Sequence, residues 1–290
     1  MYKVKVYGAK QYWTQVPRLI QGFIGNGCTV SANNDYDFVY SNNFDFAEVD
    51  EEHGDSALSN SGFKIFNVLD IPEHIQDFPT QKLKEQLNEA DIITCISPPV
   101  KEQLKRILNI DATVIWNPIK DVFFDPSQER KINCLYVGRA ADPVKRAYLL
   151  SKIPDQCCSI GPIGGFGNYL GLVNDISLNQ IYNSSKIVLL PSKFEGLGLT
   201  ALEAMVCGAI PLVCADNPNS ALCPDFCICD PTQEAVAEKY QELLNNFVDY
   251  QQIILKKYSS QVQRQFSKFF VAKNILDLYN AEHEGDIHRI

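Results

Sequence analysis

Short β-prone runs alternate with stretches of helical periodicity along this whole chain, and that alternation narrows the possible folds more than any other feature. KVKVYG (3–8) precedes VPRLIQGFIGNG (16–27), whose apolar stripe stops on a glycine. DFVYSN (37–42) and FKIFNVLD (63–70) read as further strands. DIITCIS (91–97) leads into PPVKEQLKRIL (98–108), where Pro98 and Pro99 suit the first helical positions. ATVIWNP (112–118) closes this half. The alternation then repeats: INCLYVG (132–138) as strand, VKRAYLLSKI (144–153) as helix, CCSIG (157–161) as strand, NQIYNSS (179–185) as helix and KIVLLP (186–191) as strand. AIPLVC (209–214) is a further strand, and AVAEKYQELLNNF with the segment from Val248 to Ala281 reads as helix.

Such a pattern predicts α/β architecture, with parallel sheets covered by helices on both faces. Two runs of it meeting near 118–131 predict two Rossmann-like domains, 1–122 and 123–290, facing a cleft. The final helical segment is expected to pack back on the N-terminal domain.

The 290 residues are ample for two cores. A net charge of -9 leaves no basic stripe of the kind that displaces counterions from nucleic acid. DFAEVDEEHGD (45–55) reads as a solvated acidic loop. Met1–Tyr7 alternates polar and apolar residues, so it is expected to be a strand and no export signal. No apolar run approaches the roughly 20 residues of a membrane span, although peripheral membrane contact stays open. Ten cysteines without an export signal suggest reduced thiols and a cytoplasmic location. Cys223, Cys227 and Cys229 lie close together, but no C-x-x-C pair or nearby histidine completes a zinc set.

The chemistry concentrates in PSKFEGLGLTALEAMVCGAIPLV (191–213). A strand passes through Gly196 and Gly198 into a helix that starts near Leu199 and Thr200, and Gly208 suits its C-terminal cap. Helix N-termini present unpaired N–H groups and a positive dipole end, which attract phosphate. Glu195 precedes the glycines and Glu203 falls early in the helix, where carboxylates could accept from sugar or ribose hydroxyls. The same glycines also match G-x-G-x-x-A, with Asp216 about 20 residues on, as a dinucleotide fingerprint asks. A plain helix cap flanked by two surface glutamates fits as well. Spacing alone leaves all three open, although PSKFE delays the turn that a fingerprint makes at once.

The ordered set of motifs resembles family 4 retaining glycosyltransferases of the GT-B fold. Glu195-x7-Glu203 is similar to their signature, and VGRAADPVKR (137–146) to their phosphate-binding segment. ADIITCISPPVKEQL (90–104), VIWNPIKDVF (114–123) and GLVNDISLNQIYNSSKIVLLPS (171–192) extend the likeness over about residues 90–215. The resemblance implies that Glu203 holds ribose hydroxyls and Glu195 contacts the donor sugar. It implies that Arg139 and Lys145 neutralise the diphosphate, helped by backbone N–H groups of the Gly196-Leu197-Gly198-Leu199-Thr200 turn. Base contacts would come from SIGPIGG (159–165) and YLGLV (169–173). Taken without the resemblance, Arg139 and Lys145 would pass as a solvated loop after a strand.

The likeness has gaps. GAKQYWTQ (8–15) lacks the paired glycines such enzymes often bring to the donor phosphate, and Leu69 precedes Asp70 where a histidine often stands. His74 reads as a surface residue. Asp35-Tyr-Asp37 imitates a metal motif of the other major transferase fold, but it is expected to be a turn. The implied reaction transfers a sugar from a nucleoside diphosphate sugar to a hydroxyl acceptor with retention, with no metal and no further cofactor. A nucleotide-sugar binder without catalysis, or less readily an NAD-dependent enzyme, are the competing readings.

Overall fold

The computed structural model describes residues 1–7, 16–31, 35–42, 56–72, 78–162 and 164–287. The chain divides into two compact units, Met1–Pro118 with Phe266–Ile290, and Ile119–Gln265. The division thus falls at 118/119, a few residues before the expected 122, and the last helix belongs to the first unit.

In the first unit six parallel strands run β2-β1-β3-β4-β5-β6. They are β1 Lys3–Val6, β2 Thr29–Val30, β3 Phe38–Asn42, β4 Phe63–Val68, β5 Ile92–Cys95 and β6 Thr113–Val114. Strands β3 and β4 are buried almost throughout, as both faces of a helix-covered parallel sheet require. The helices are α1 Val16–Gly25, α2 Thr80–Leu87 and α3 Pro98–Gln103. Helix α3 starts as its prolines suggest: the Val100 N–H donates to the Ser97 hydroxyl at 3.4 Å. Helix α2 was not anticipated, because TQKLKEQL offers only Leu83 and Leu87 as buried residues.

The second unit carries β7 Ile132–Val137, β8 Cys158–Ile160, β9 Asn168–Tyr169, β10 Ser185–Leu190, β11 Ile210–Cys214 and β12 Ile228–Cys229. They form a parallel sheet in the order β12-β11-β10-β7-β8-β9. Its helices are α4 Asp175–Ser184, α5 Leu199–Val206, α6 Gln233–Asn245, α7 Phe247–Ile253 and α8 Ser260–Gln265. The final helix of the chain, α9 Lys268–Ile287, packs on α1 in the first unit. A Cβ on Gly22 would sit 2.3 Å from the Lys268 carbonyl oxygen, so glycine is what lets the two helices approach.

The helix expected over 144–153 is not formed. Two short 3₁₀ turns, Pro143–Lys145 and Ala147–Leu150, replace it, separated by Arg146 at a left-handed φ of 47°. All ten cysteines are buried free thiols.

The strand order of the second unit fixes where a ligand can sit. From β7 the chain winds outward through β8 and β9, then returns to place β10 on the other side of β7. The strand order thus reverses between β7 and β10, and doubly wound sheets bind ligands at the carboxyl ends of the strands flanking such a switch point. The first unit has the same kind of reversal between β1 and β3. Its two flanking loops, 8–15 and 43–55, lie outside the described residues, as does His74.

Candidate active site

The switch point of the second sheet gathers the residues singled out in the sequence. Strand β7 delivers Gly138 and Arg139, the 3₁₀ turn after it delivers Lys145, and the loop after β10 delivers Glu195 through Gly198. Lys145 Nζ meets Glu195 Oε1 at 2.7 Å across 50 residues of chain, with both side chains largely buried. Arg139 Nη2 lies 2.8 Å from Asp142 Oδ2, and its Nε donates to the same oxygen at 3.3 Å. Burial pushes the Asp142 carboxyl up, yet the Arg139 hydrogen bond, the Val144 amide and the nearby Arg139 and Lys145 charges hold it below the usual carboxylate range. Both cations thus already have carboxylate partners. Asp142 was not anticipated, although its spacing of three from Arg139 is the signal that could have found it.

Gly198 adopts φ +77° at the N-terminus of α5, a left-handed conformation that favours glycine, and no side chain caps this helix. Gly196, Leu199 and Thr200 are partly exposed around it. Leu197 is buried.

Glu203 does not sit free at the helix start. It is the fifth residue of α5, it is 4% exposed, and both carboxylate oxygens accept hydrogen bonds. The Lys120 N–H donates to Oε1 at 3.1 Å and the Tyr182 hydroxyl to Oε2 at 3.0 Å. Burial, together with the Glu203 charge, raises the Tyr182 hydroxyl well above its ordinary value. The Lys120 ammonium reaches Asp175 Oδ1 at 2.6 Å in the first turn of α4.

The loops expected to meet a base also converge here. A Cβ on Gly161 would stand 2.0 Å from the Gly138 carbonyl oxygen, so the turns after β7 and β8 touch backbone to backbone. The Gly161 N–H donates to the Gly171 carbonyl at 3.1 Å, and the Tyr169 hydroxyl donates to the Gly161 carbonyl at 2.7 Å. Beneath them Tyr136 is buried, its hydroxyl without a hydrogen-bond partner. Burial and the Glu195 and Asp142 charges push that hydroxyl up.

Two motifs fall elsewhere. Asp35 pairs with the Lys3 ammonium, and Asp37 Oδ2 accepts from the Lys3 backbone N–H at 2.6 Å, so these carboxylates pin the edge of β1 in the first unit. No cluster of metal-ligating side chains occurs among the described residues. Asp216, the acid a dinucleotide fingerprint would offer to a ribose, is held in a two-pronged pair by Arg146 at 2.7 and 2.8 Å. Together with the long PSKFE loop, that pairing counts against the fingerprint.

Residues 168–259 match the family model of the glycosyl transferases group 1. The O-antigen chain mannosyltransferase B of Escherichia coli is 44% identical over 61 residues, which is 21% of this chain and 16% of that protein. An uncharacterized glycosyltransferase of Methanocaldococcus jannaschii is 28% identical over 161 residues, covering 41% of each chain. The chain therefore spans less than half the length of these relatives. Among solved structures, Anabaena HepE in complex with UDP-glucose superposes with a TM-score of 0.75 at 13% identity, over 97% of this chain and 100% of that one. Sucrose-phosphate synthase from Thermosynechococcus elongatus gives a TM-score of 0.68 at 18% identity, over 86% and 74%. At such identities the likeness is one of fold. That fold is GT-B, with two parallel six-stranded α/β sheets.

Proposed function

We propose that this GT-B protein, with its glycosyl transferases group 1 segment over 168–259, is a glycosyltransferase that moves a sugar from a nucleoside diphosphate sugar to a hydroxyl acceptor with retention. The observation that carries the reading is the Lys145–Glu195 pair at 2.7 Å, set at the switch point beside the uncapped start of α5. Glycosyl transfer needs negative charge stabilised on the departing diphosphate while positive charge grows on the sugar. Arg139, Lys145 and the first N–H groups of α5 supply the former from fixed positions. Glu195 binds hydroxyls of the donor sugar, and Glu203 accepts from the ribose through lone pairs left by Lys120 and Tyr182. The departing phosphate oxygen takes the acceptor proton on the face it leaves, so the anomeric configuration is kept. Arg139 and Lys145 bring two positive charges to the diphosphate, which makes a divalent ion redundant.

HepE was crystallised with UDP-glucose and the Escherichia coli relative is named a mannosyltransferase, so UDP-sugars and mannosyl donors are the first to test. Thermal shift against UDP, GDP and their sugars finds the donor, because a ligand bound only to the folded state stabilises it by RT ln(1 + [L]/Kd). Transfer is then followed by mass spectrometry in excess EDTA, and the product anomer by NMR. Glu195→Gln should leave nucleoside diphosphate affinity unchanged or higher, since Lys145 is released, while transfer falls about 10- to 100-fold. Equal losses in both would show that Glu195 has no separate role at the sugar. Turnover abolished by EDTA would remove the metal-free mechanism. Donor hydrolysis with no transfer to any hydroxyl acceptor would favour a binding protein.

A further inference from the structure

The loops after β7 and β10 are joined by a residue that has no place in the mechanism so far. Arg146 follows Lys145 directly and adopts φ 47° and ψ 39°, a conformation that side chains with a Cβ resist. Such a residue persists only where its surroundings over-determine it. Here Arg146 is 8% exposed and its guanidinium spends three donors in a fixed fork. Its Nη1 and Nη2 donate to Asp216 at 2.7 and 2.8 Å, and its Nε donates to the Pro191 carbonyl at 2.7 Å.

Arg146 lies in the loop after β7, Pro191 follows β10 and Asp216 follows β11, so one side chain ties together the segments that leave three neighbouring strands. Other bonds run alongside it. The Lys193 N–H donates to the Val144 carbonyl at 2.9 Å, and Asn217 Nδ2 donates to the Ser192 carbonyl at 3.2 Å. Asn219 Nδ2 donates to the Glu195 carbonyl at 2.5 Å. The main chain around Glu195 is thereby fixed from one side by 144–146 and from the other by 216–219.

We propose that Arg146 is a positioning residue for sugar transfer: its fork on Asp216 and Pro191 sets the Lys145 turn in register with the Glu195 loop, so that ammonium and carboxylate meet at the switch point before a donor arrives. The assignment rests on the transferase reading above. Its force is geometric, because a misplacement of about 1 Å at a reacting centre can cost about 100-fold in rate.

Arg146→Gly separates positioning from folding. Glycine takes the left-handed backbone without strain, so the fold is spared while the fork is lost. Arg146→Lys keeps the charge but offers a point donor in place of the fork, and Asp216→Asn keeps the shape while removing the charge. Three quantities are read for each: Tm, exchange of the Lys193 amide hydrogen, and kcat and KM with the donor that wild type uses. For Arg146→Gly, Lys193 exchange should accelerate about tenfold and kcat per folded molecule should fall about tenfold or more, with KM for the donor within about threefold. Arg146→Lys and Asp216→Asn should fall between this variant and wild type. A lowered Tm with kcat unchanged in all three variants would reduce Arg146 to a structural role and overturn the proposal. Unchanged Lys193 exchange in folded Arg146→Gly would overturn it too. If Arg146→Gly does not fold, Arg146→Lys and Asp216→Asn decide by the same two criteria. If wild type binds no nucleoside diphosphate and transfers no sugar, the transferase reading fails and the catalytic part of the proposal with it. Lys193 exchange still decides whether Arg146 holds the two loops together.

Discussion

A carboxylate buried in a helix is tolerated only when its oxygens are satisfied, and Glu203 meets that condition with the Lys120 amide and the Tyr182 hydroxyl. These two donors make an alanine variant a poor probe. Glu203→Ala would leave both unpaired, at a cost of about 1–3 kcal/mol to the fold. Glu203→Gln is cleaner. Its amide oxygen can accept from Lys120, and its NH₂ can donate to the Tyr182 oxygen, so Tm should stay near that of wild type. What it loses is the ionised acceptor that the proposed function assigns to ribose hydroxyls. A hydrogen bond to a charged group contributes about 1.5–3 kcal/mol, so affinity for the bound nucleoside diphosphate should drop about 10- to 150-fold. Calorimetric titration checks this. Unchanged affinity would take Glu203 out of the nucleotide site and leave it as a structural anchor of α5.

The site depends on elements that approach more closely than ordinary side chains allow. The turns after β7 and β8 touch at Gly161, where a Cβ would meet the Gly138 carbonyl oxygen at 2.0 Å. Gly161→Ala must push the Gly138–Arg139 turn outward, because the opposing atom is backbone and has no rotamer to adopt. Overpacking of this kind costs about 1–3 kcal/mol. Urea unfolding should show that loss, and transfer should fall beyond it because Arg139 moves with the turn. Normal stability with normal turnover would mean that the two turns can separate freely.

The periodic elements were legible in the sequence because burial on both faces writes long apolar runs, as in Ile187–Leu190 and Ile210–Cys214. The glycine turn into α5 was legible for a local reason, since Gly198 needs its left-handed backbone. The 144–153 segment was misread because the force that breaks it is not local. Arg146 gives up the helix for Asp216, 70 residues away. The depth at which Glu203 is buried was not legible for the same reason. Its partners Lys120 and Tyr182 become neighbours only once the sheet has formed.

At the scale of the whole chain, the first unit is incomplete without residues that come last in the sequence. Helix α9 contributes Val271, Ala272, Ile275, Leu276 and Tyr279 to the core that holds Val4, Val6, Leu19, Phe23, Phe38 and Tyr40. Tyr279 stacks on Phe38 with ring centroids 4.7 Å apart, and the Tyr2 hydroxyl donates to Asn280 Oδ1 at 2.5 Å. The second unit, Ile119–Gln265, ends before α9 begins. A chain ending at Gln265 should therefore lose one unit and keep the other. Exposing the partners of α9 forfeits about 1.5–3 kcal/mol for each large apolar side chain withdrawn. With Val271, Ile275, Leu276 and Tyr279 gone, the loss rivals the roughly 5–15 kcal/mol by which a domain is stable. Segment-resolved hydrogen exchange is the measurement, because it reads the units separately where a single melting curve would blend them. In the truncated chain, amides of β1, β3 and β4 should exchange at rates near those of an unfolded chain. Those of β7, β10 and β11 should keep the protection they have in the full chain. Nucleoside diphosphate binding should survive in part, since Arg139, Lys145, Glu195 and Glu203 all lie in 119–265, but transfer should be lost. Retained protection in β1 and β3 would show that α9 is an accessory to the first unit and no part of its core. Loss of protection in β10 would show that the two units fold as one.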